Sequence, residues 1–263
     1  MPTKQPSRRD VLHSLAATLP LAAVLADTEL ARAAAETLET VSITISGTTS
    51  GGTSVSAALA LPATVPAPAV LLIHEWWGLN DQIKAMAAEC AREGYVALAI
   101  DLYGGQSTAT REQAQALMQA VDPAVATDTL VSWVQWLRQH PNVTGKVGTI
   151  GWCFGGGWSL NTSIATPVDA TVIYYGRVDQ PADRLARLHG PVLGHFASRD
   201  TFINRKMVET FEAAMAEAGK PLTVYWYDAD HAFANPSGGR YDAADAKLAW
   251  ERTTAFLETN LAG

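Results

Sequence analysis

A chain of 263 residues with 19 Lys and Arg against 26 Asp and Glu carries a formal charge of −7, so neither nucleic acid nor an anionic lipid surface is expected to attract it. Its 48% hydrophobic and 17% charged residues describe a core-rich chain and exclude a disordered one. The length suits one larger α/β domain or two small ones.

The first residues stand apart. Ser7-Arg8-Arg9-Asp10-Val11-Leu12 sets paired arginines ahead of a weakly apolar, Ala- and Leu-rich run over 11–25, and Ala31-Arg32-Ala33 follows as an A-x-A cleavage pattern. That order predicts a twin-arginine export signal over residues 1–33 and a periplasmic destination; the alternative is an amphipathic helix packed on the domain. His13, Ser14 and Pro20 break the run, which is too short for a membrane span. Once the signal is removed, no membrane contact is expected. The destination is oxidising, yet the chain has only Cys90 and Cys153. Cys90 shares a helix face with Ile83, Met86 and Ala87 and reads as core, so no disulfide framework is expected.

Residues 34–263 read as one domain. Segments 41–46 and 54–61 alternate apolar and polar residues, as half-buried antiparallel strands do, and the glycine-rich 47–52 turn makes them a hairpin. After a proline-rich connector at 62–68 the pattern becomes continuous apolar runs at 70–74, 95–100, 146–151, 170–175, 192–197 and 222–227, each read as a strand buried on both faces. Helical segments separate them at 80–93, 111–119, 124–139, 155–164, 204–218 and 241–260. This alternation predicts a doubly wound, mostly parallel sheet with helices on both sides. The connection from Tyr175 to Pro191 leaves little room for a lid, so the site should be shallow and open.

Gly151-Trp152-Cys153-Phe154-Gly155 is the G-x-S-x-G pattern with cysteine as the nucleophile. Glycines two before and two after the apex remove Cβ atoms that would clash in so sharp a strand-to-helix turn. The turn holds the sulfur near a helix N-terminus, whose free N–H groups and dipole favour a thiolate. A buried structural cysteine in a glycine-rich turn is the plainer alternative. Two later residues favour the catalytic reading. Asp200 follows the strand at 192–197 and His231 the strand at 222–227, and nucleophile, acid, histidine is the chain order of α/β-hydrolases. His195 lies mid-strand and reads as core, while His140 and His189 lie in connectors. An ordinary thiol is mostly protonated at neutral pH and needs a base. His231 would supply it, and Asp200 would fix the tautomer and stabilise the imidazolium. The oxyanion hole is expected from the N–H of Phe154 and that of Trp76.

Together, 151–156 (Gly-Trp-Cys-Phe-Gly-Gly), His74-Glu75-Trp76-Trp77-Gly78-Leu79-Asn80, Asp101-Leu102-Tyr103 and Asp230-His231-Ala232-Phe233 resemble the dienelactone hydrolase family over about 68–257. The resemblance implies an α/β-hydrolase fold without a large lid. It also implies a Cys153–Asp200–His231 triad and hydrolysis of a small ester or lactone of the carboxymethylenebutenolidase type. Glu75, by the same resemblance, holds the resting thiol and takes its proton when substrate displaces it; an exposed loop acid is the alternative. Family members bind a substrate carboxylate with two arginines. One matches Arg111, but the other falls on Asn235, which argues against a dicarboxylate substrate. Tyr174, Tyr175, Trp76 and Trp77 are candidates for an apolar pocket wall, with core packing as the alternative for each. No cofactor is implied, and without H-x-H, H-E-x-x-H or C-x-x-C no metal site is expected. A monomer acting on a small molecule is the expectation. Thioester or aryl-ester hydrolysis, and a non-catalytic binding protein, are the competing functions.

Overall fold

Uninterrupted apolar strands need cover on both faces, and the sheet is built to provide it. The computed structural model describes residues 6–45 and 52–262, so the turn expected at 47–52 lies outside the described residues apart from Gly52. Among those residues the strands are β1 (Glu39–Thr44), β2 (Ser54–Ala60), β3 (Ala67–Ile73), β4 (Val96–Ile100), β5 (Val143–Trp152), β6 (Ala170–Tyr174), β7 (Val192–Ala197) and β8 (Leu222–Tyr227). They form one sheet in the order β1-β2-β4-β3-β5-β6-β7-β8. β1 and β2 pair antiparallel, as does β2 with β4. From β4 to β8 every pairing is parallel. This is the doubly wound α/β-hydrolase architecture with an antiparallel hairpin at one edge.

The helices are α1 (Arg8–Thr18), α2 (Leu21–Ala26), α3 (Thr28–Ala35), α4 (Asp81–Arg92), α5 (Arg111–Ala120), α6 (Pro123–Gln139), α7 (Phe154–Ala165), α8 (Ala182–Leu185), α9 (Arg205–Glu217) and α10 (Ala243–Leu261). Their starts are local in origin. Asn80, Asp122, Asn204 and Asp242 each accept backbone N–H groups of the first turn, worth about 1 kcal/mol per cap. Side chains alternate along β3: Val70 and Leu72 pack with Ile83, Met86 and Cys90 of α4, whereas Leu71 and Ile73 pack with Leu130, Trp133 and Leu137 of α6. Further along, Ile173 and Phe196 meet Val208, Phe211 and Met215 of α9. Cys90 is buried, and burial pushes its thiol up to about 12. It is a core residue, as expected.

One reading needs correction. β8 was expected to be buried on both faces, but it is the edge strand and mostly half-buried. With one neighbour missing, cations cover its rings: the Arg252 guanidinium lies 3.9 Å from the Tyr225 ring and that of Arg205 lies 4.3 Å from Trp226. The N-terminal segment forms the three short helices α1 to α3, which pack on the domain. Val24, Leu25, Leu30 and Ala34 are buried in the cluster that holds Ala85 and Met86 of α4. Arg92 donates to the carbonyl oxygens of Ala17 (3.0 Å) and Leu19 (3.2 Å) at the end of α1. The arginine pair therefore stands at the start of a helix that rests on the domain.

Candidate active site

The carboxyl ends of the parallel strands converge on one edge of the sheet, where α/β folds bind ligands. β5 runs into α7 through Cys153, with φ 53° and ψ −113°. Its N–H is held by the Tyr174 carbonyl at 3.0 Å, and its own carbonyl accepts the Gly156 N–H at 3.0 Å. Only glycine fits on either side. A Cβ on Gly151 would lie 2.0 Å from the Gly155 oxygen, and one on Gly155 would lie 2.2 Å from the Ile73 oxygen. Among the described residues the non-glycine positions with positive φ are Cys153, Tyr175 and Ala232. All three border this edge, where strained backbone tends to mark function.

The sulfur projects toward the loop after β8. His231 Nε2 lies 3.2 Å from Cys153 Sγ, and His231 Nδ1 donates to Asp200 Oδ2 at 2.5 Å. Asp200 is itself anchored, since its Oδ1 accepts the N–H groups of Phe202 (2.8 Å) and Ile203 (3.0 Å). Burial works against ionising Asp200, but the His231 hydrogen bond and charge outweigh it and hold the carboxyl below its ordinary range. Burial likewise disfavours charge on His231. Its hydrogen bonds to Asp200 and Cys153 prevail and raise it to about 10.

Glu75, just past β3, is buried. Asn235 Nδ2 donates to its Oε2 and the Tyr175 hydroxyl to its Oε1 at 3.4 Å. Burial raises the carboxyl to about 7 against the pull of Asn235, His231 and Tyr175. The backbone carbonyl of Glu75 accepts the His74 Nδ1–H at 2.6 Å, and His74 Nε2 accepts the Leu102 N–H at 3.2 Å, which fixes the His74 tautomer. The N–H groups of Phe154 and Trp76 have no acceptor among the described residues, leaving both open to a ligand oxygen. No group of three or more His, Cys, Asp or Glu among the described residues could hold a metal ion.

The model of the dienelactone hydrolase family matches residues 55–261. The chain belongs to the dienelactone hydrolase family. That makes it a hydrolase of ester or lactone bonds. The carboxymethylenebutenolidases of Pseudomonas putida and Pseudomonas knackmussii are each 31% identical to it over 212 residues, covering 76% of this chain and 89% of theirs. Among solved structures, a dienelactone hydrolase-like promiscuous phosphotriesterase from metagenomic libraries superposes with a TM-score of 0.77. At 23% identity, over 86% of this chain and 98% of that one, it speaks to the fold alone.

Against the family pattern, the candidate residues divide. Cys153, Asp200, His231, Glu75 and Tyr175 come together. Trp76 and Trp77 are half-buried, ring against ring at 4.9 Å. Arg111 opens α5 as an exposed residue without an ion pair among the described residues. Its loop is tied to the β3 loop by the Thr108 N–H on the Trp77 carbonyl at 2.9 Å. Tyr174 was expected on the pocket wall and is not there. It is buried with its hydroxyl 2.7 Å from Thr253 of α10 and its ring against His195, because the last residue of β6 faces the α10 layer. His195 is core, as read, between Tyr227 (2.8 Å) and Thr253 (3.0 Å). Asn235 was expected to face substrate, but its donor is turned to Glu75. Gln82 and Ser237, which hold Asn235, escaped the sequence reading. Only Asn235-Pro236-Ser237 carries a local signal, that of an Asx turn.

Proposed function

We propose that this hydrolase acts on small, largely neutral esters or lactones with Cys153 as nucleophile, His231 as acid and then base, and Asp200 as its orienting partner. The observation that carries the reading is the unbroken contact chain Asp200–His231–Cys153, at 2.5 and 3.2 Å, on a strained strand-to-helix turn. The Cys153 sulfur attacks the carbonyl carbon, and the developing oxyanion takes hydrogen bonds from the Phe154 and Trp76 N–H groups. Collapse breaks the C–O bond to the leaving alcohol, which receives its proton from His231. Water, deprotonated by His231, then attacks the thioester and releases the acid and the thiolate. In a lactone both products stay in one molecule. Glu75 is the acceptor for the resting thiol's proton as substrate enters. The carboxymethylenebutenolidases that the chain resembles support a lactone substrate, while Asn235 in place of a second arginine argues against a need for two carboxylates.

Turnover of 4-nitrophenyl acetate, with and without a thiol alkylator, tests this. Cys153→Ala should abolish turnover with the fold intact, and Cys153→Ser should leave at most a trace, because a hydroxyl needs a stronger base than a thiol. Undiminished steady-state turnover by Cys153→Ala would refute it.

The paired Arg8-Arg9 and the Ala31-Arg32-Ala33 pattern support export of the folded chain to the periplasm with residues 1–33 removed. Arg8 pairs with Glu29 (2.7 Å) and Arg9 with Glu36 (3.2 Å). Exposed pairs of this kind compete weakly with water and salt, so the arginines remain available to a translocation receptor.

A further inference from the structure

We propose that Gln82 and Ser237, acting through Asn235, are positioning residues that keep a neutral hydrogen-bond donor aimed at Glu75 and so hold that carboxylate ready to accept the thiol proton. The inference rests on the reading of Glu75 given above and extends it to residues outside the triad.

Asn235 Oδ1 accepts the Gln82 Nε2–H at 3.0 Å and the Ser237 backbone N–H at 3.0 Å, and lies 2.7 Å from the Ser237 hydroxyl. With its oxygen saturated by donors, Asn235 has only Nδ2 left to present to Glu75. A flipped amide would set its NH2 against the Gln82 and Ser237 N–H groups and its oxygen against a carboxylate, losing bonds on both sides. Gln82 is fixed in turn, because the Ser237 hydroxyl lies 2.9 Å from its Oε1. Its single proton serves Asn235 or Gln82, one at a time. The clamp joins the first turn of α4 to the loop that carries His231.

The side-chain hydrogen bonds of the Glu75 carboxylate among the described residues come from Asn235 and Tyr175. The titratable groups that act on it are His231 from the loop after β8 and Tyr175 from the end of β6, and Tyr175 in turn feels Cys153 of the β5–α7 turn. A donor on a buried carboxylate favours its charged form. Loss of the aim therefore raises the pH at which Glu75 ionises, and the acid limb of kcat/KM should rise with it. A purely structural role for Gln82 and Ser237 would lower the melting temperature or raise KM without moving that limb.

The test is the pH profile of kcat and KM for 4-nitrophenyl acetate. In Gln82→Met/Ser237→Ala the acid limb should move up by about half to one pH unit, the share of one hydrogen bond to a charge, with KM and melting temperature little changed. Ser237→Thr, which keeps hydroxyl and N–H, should restore the wild-type limb. Asn235→Asp sets a second carboxylate against Glu75 and should move the limb up by roughly two units or more. Either single variant at 82 or 237, both partly exposed, serves if the double variant folds poorly. A limb that survives in Glu75→Gln removes Glu75's role and the clamp with it. A limb that vanishes in Glu75→Gln yet stays put in every clamp variant overturns the clamp alone.

Discussion

Replacing Asp200 with Asn tests the proposed triad most sharply, because the surroundings dictate which way the new amide must turn. Oδ1 of Asp200 accepts two backbone N–H groups, from Phe202 and Ile203. An asparagine keeps those bonds only by leaving its oxygen there, which points its NH2 at His231 Nδ1. The ring must then accept at Nδ1 and carry its proton on Nε2, facing Cys153. Such a histidine cannot accept a proton at Nε2, and so cannot deprotonate the water that attacks the thioester. Two losses combine. The charge that lifts His231 toward 10 disappears, costing about 1.5–3 kcal/mol as one hydrogen bond to a charged group. The wrong tautomer removes the base, and the same substitution in a serine protease triad costs about 10⁴-fold in kcat. The expected result here is a fall of about 10³–10⁴-fold in kcat/KM for 4-nitrophenyl acetate at pH 7. KM should change little, and the melting temperature should stay within a few degrees because both backbone hydrogen bonds survive. Activity within tenfold of wild type, with the protein folded, would refute the assignment of Asp200 as the group that sets the His231 tautomer.

Gly155→Ala should place a methyl group 2.2 Å from the Ile73 oxygen, costing about 3 kcal/mol as overpacking and lowering Tm by roughly 6–12 °C for a domain of this size; thermal unfolding followed by circular dichroism reads it. With Asn235 engaged by Glu75 and Arg111 exposed, neutral esters should be hydrolysed at kcat/KM within about tenfold of matched monoacids, a gap of about 1.4 kcal/mol. A hundredfold preference for the acid would mean that another cation completes a carboxylate clamp. Arg8→Lys/Arg9→Lys should trap uncleaved precursor in the cytoplasm, and normal trimming and export of that double variant would remove the signal reading.

Much of this protein was legible as one-dimensional pattern. Continuous apolar runs located the parallel strands within a few residues, because burial on both faces is a property of each strand by itself. The turn at Cys153 was equally local: glycines at 151 and 155 are needed for contacts made within four residues or against the adjacent strand. Asp200 and His231 could be picked out because each follows directly on a strand whose carboxyl end the fold must bring to one edge. Other features depended on the order in which strands assemble. Nothing in the composition of 222–227 says that β8 has a single neighbour; that follows from its place at the end of the sheet. Tyr174 and Tyr175 are alike and adjacent, yet strand alternation buries the first against α10, and a positive φ of 38° swings the second to Glu75. Asn235 could be aligned with a missing arginine, but the direction of its amide is set by Gln82, 153 residues away, and by Glu75, 160 residues away. Steric and hydrophobic preferences act over a few residues and are written in the chain, whereas the partner of a polar side chain is chosen only when distant segments are brought together and every buried donor must find its acceptor.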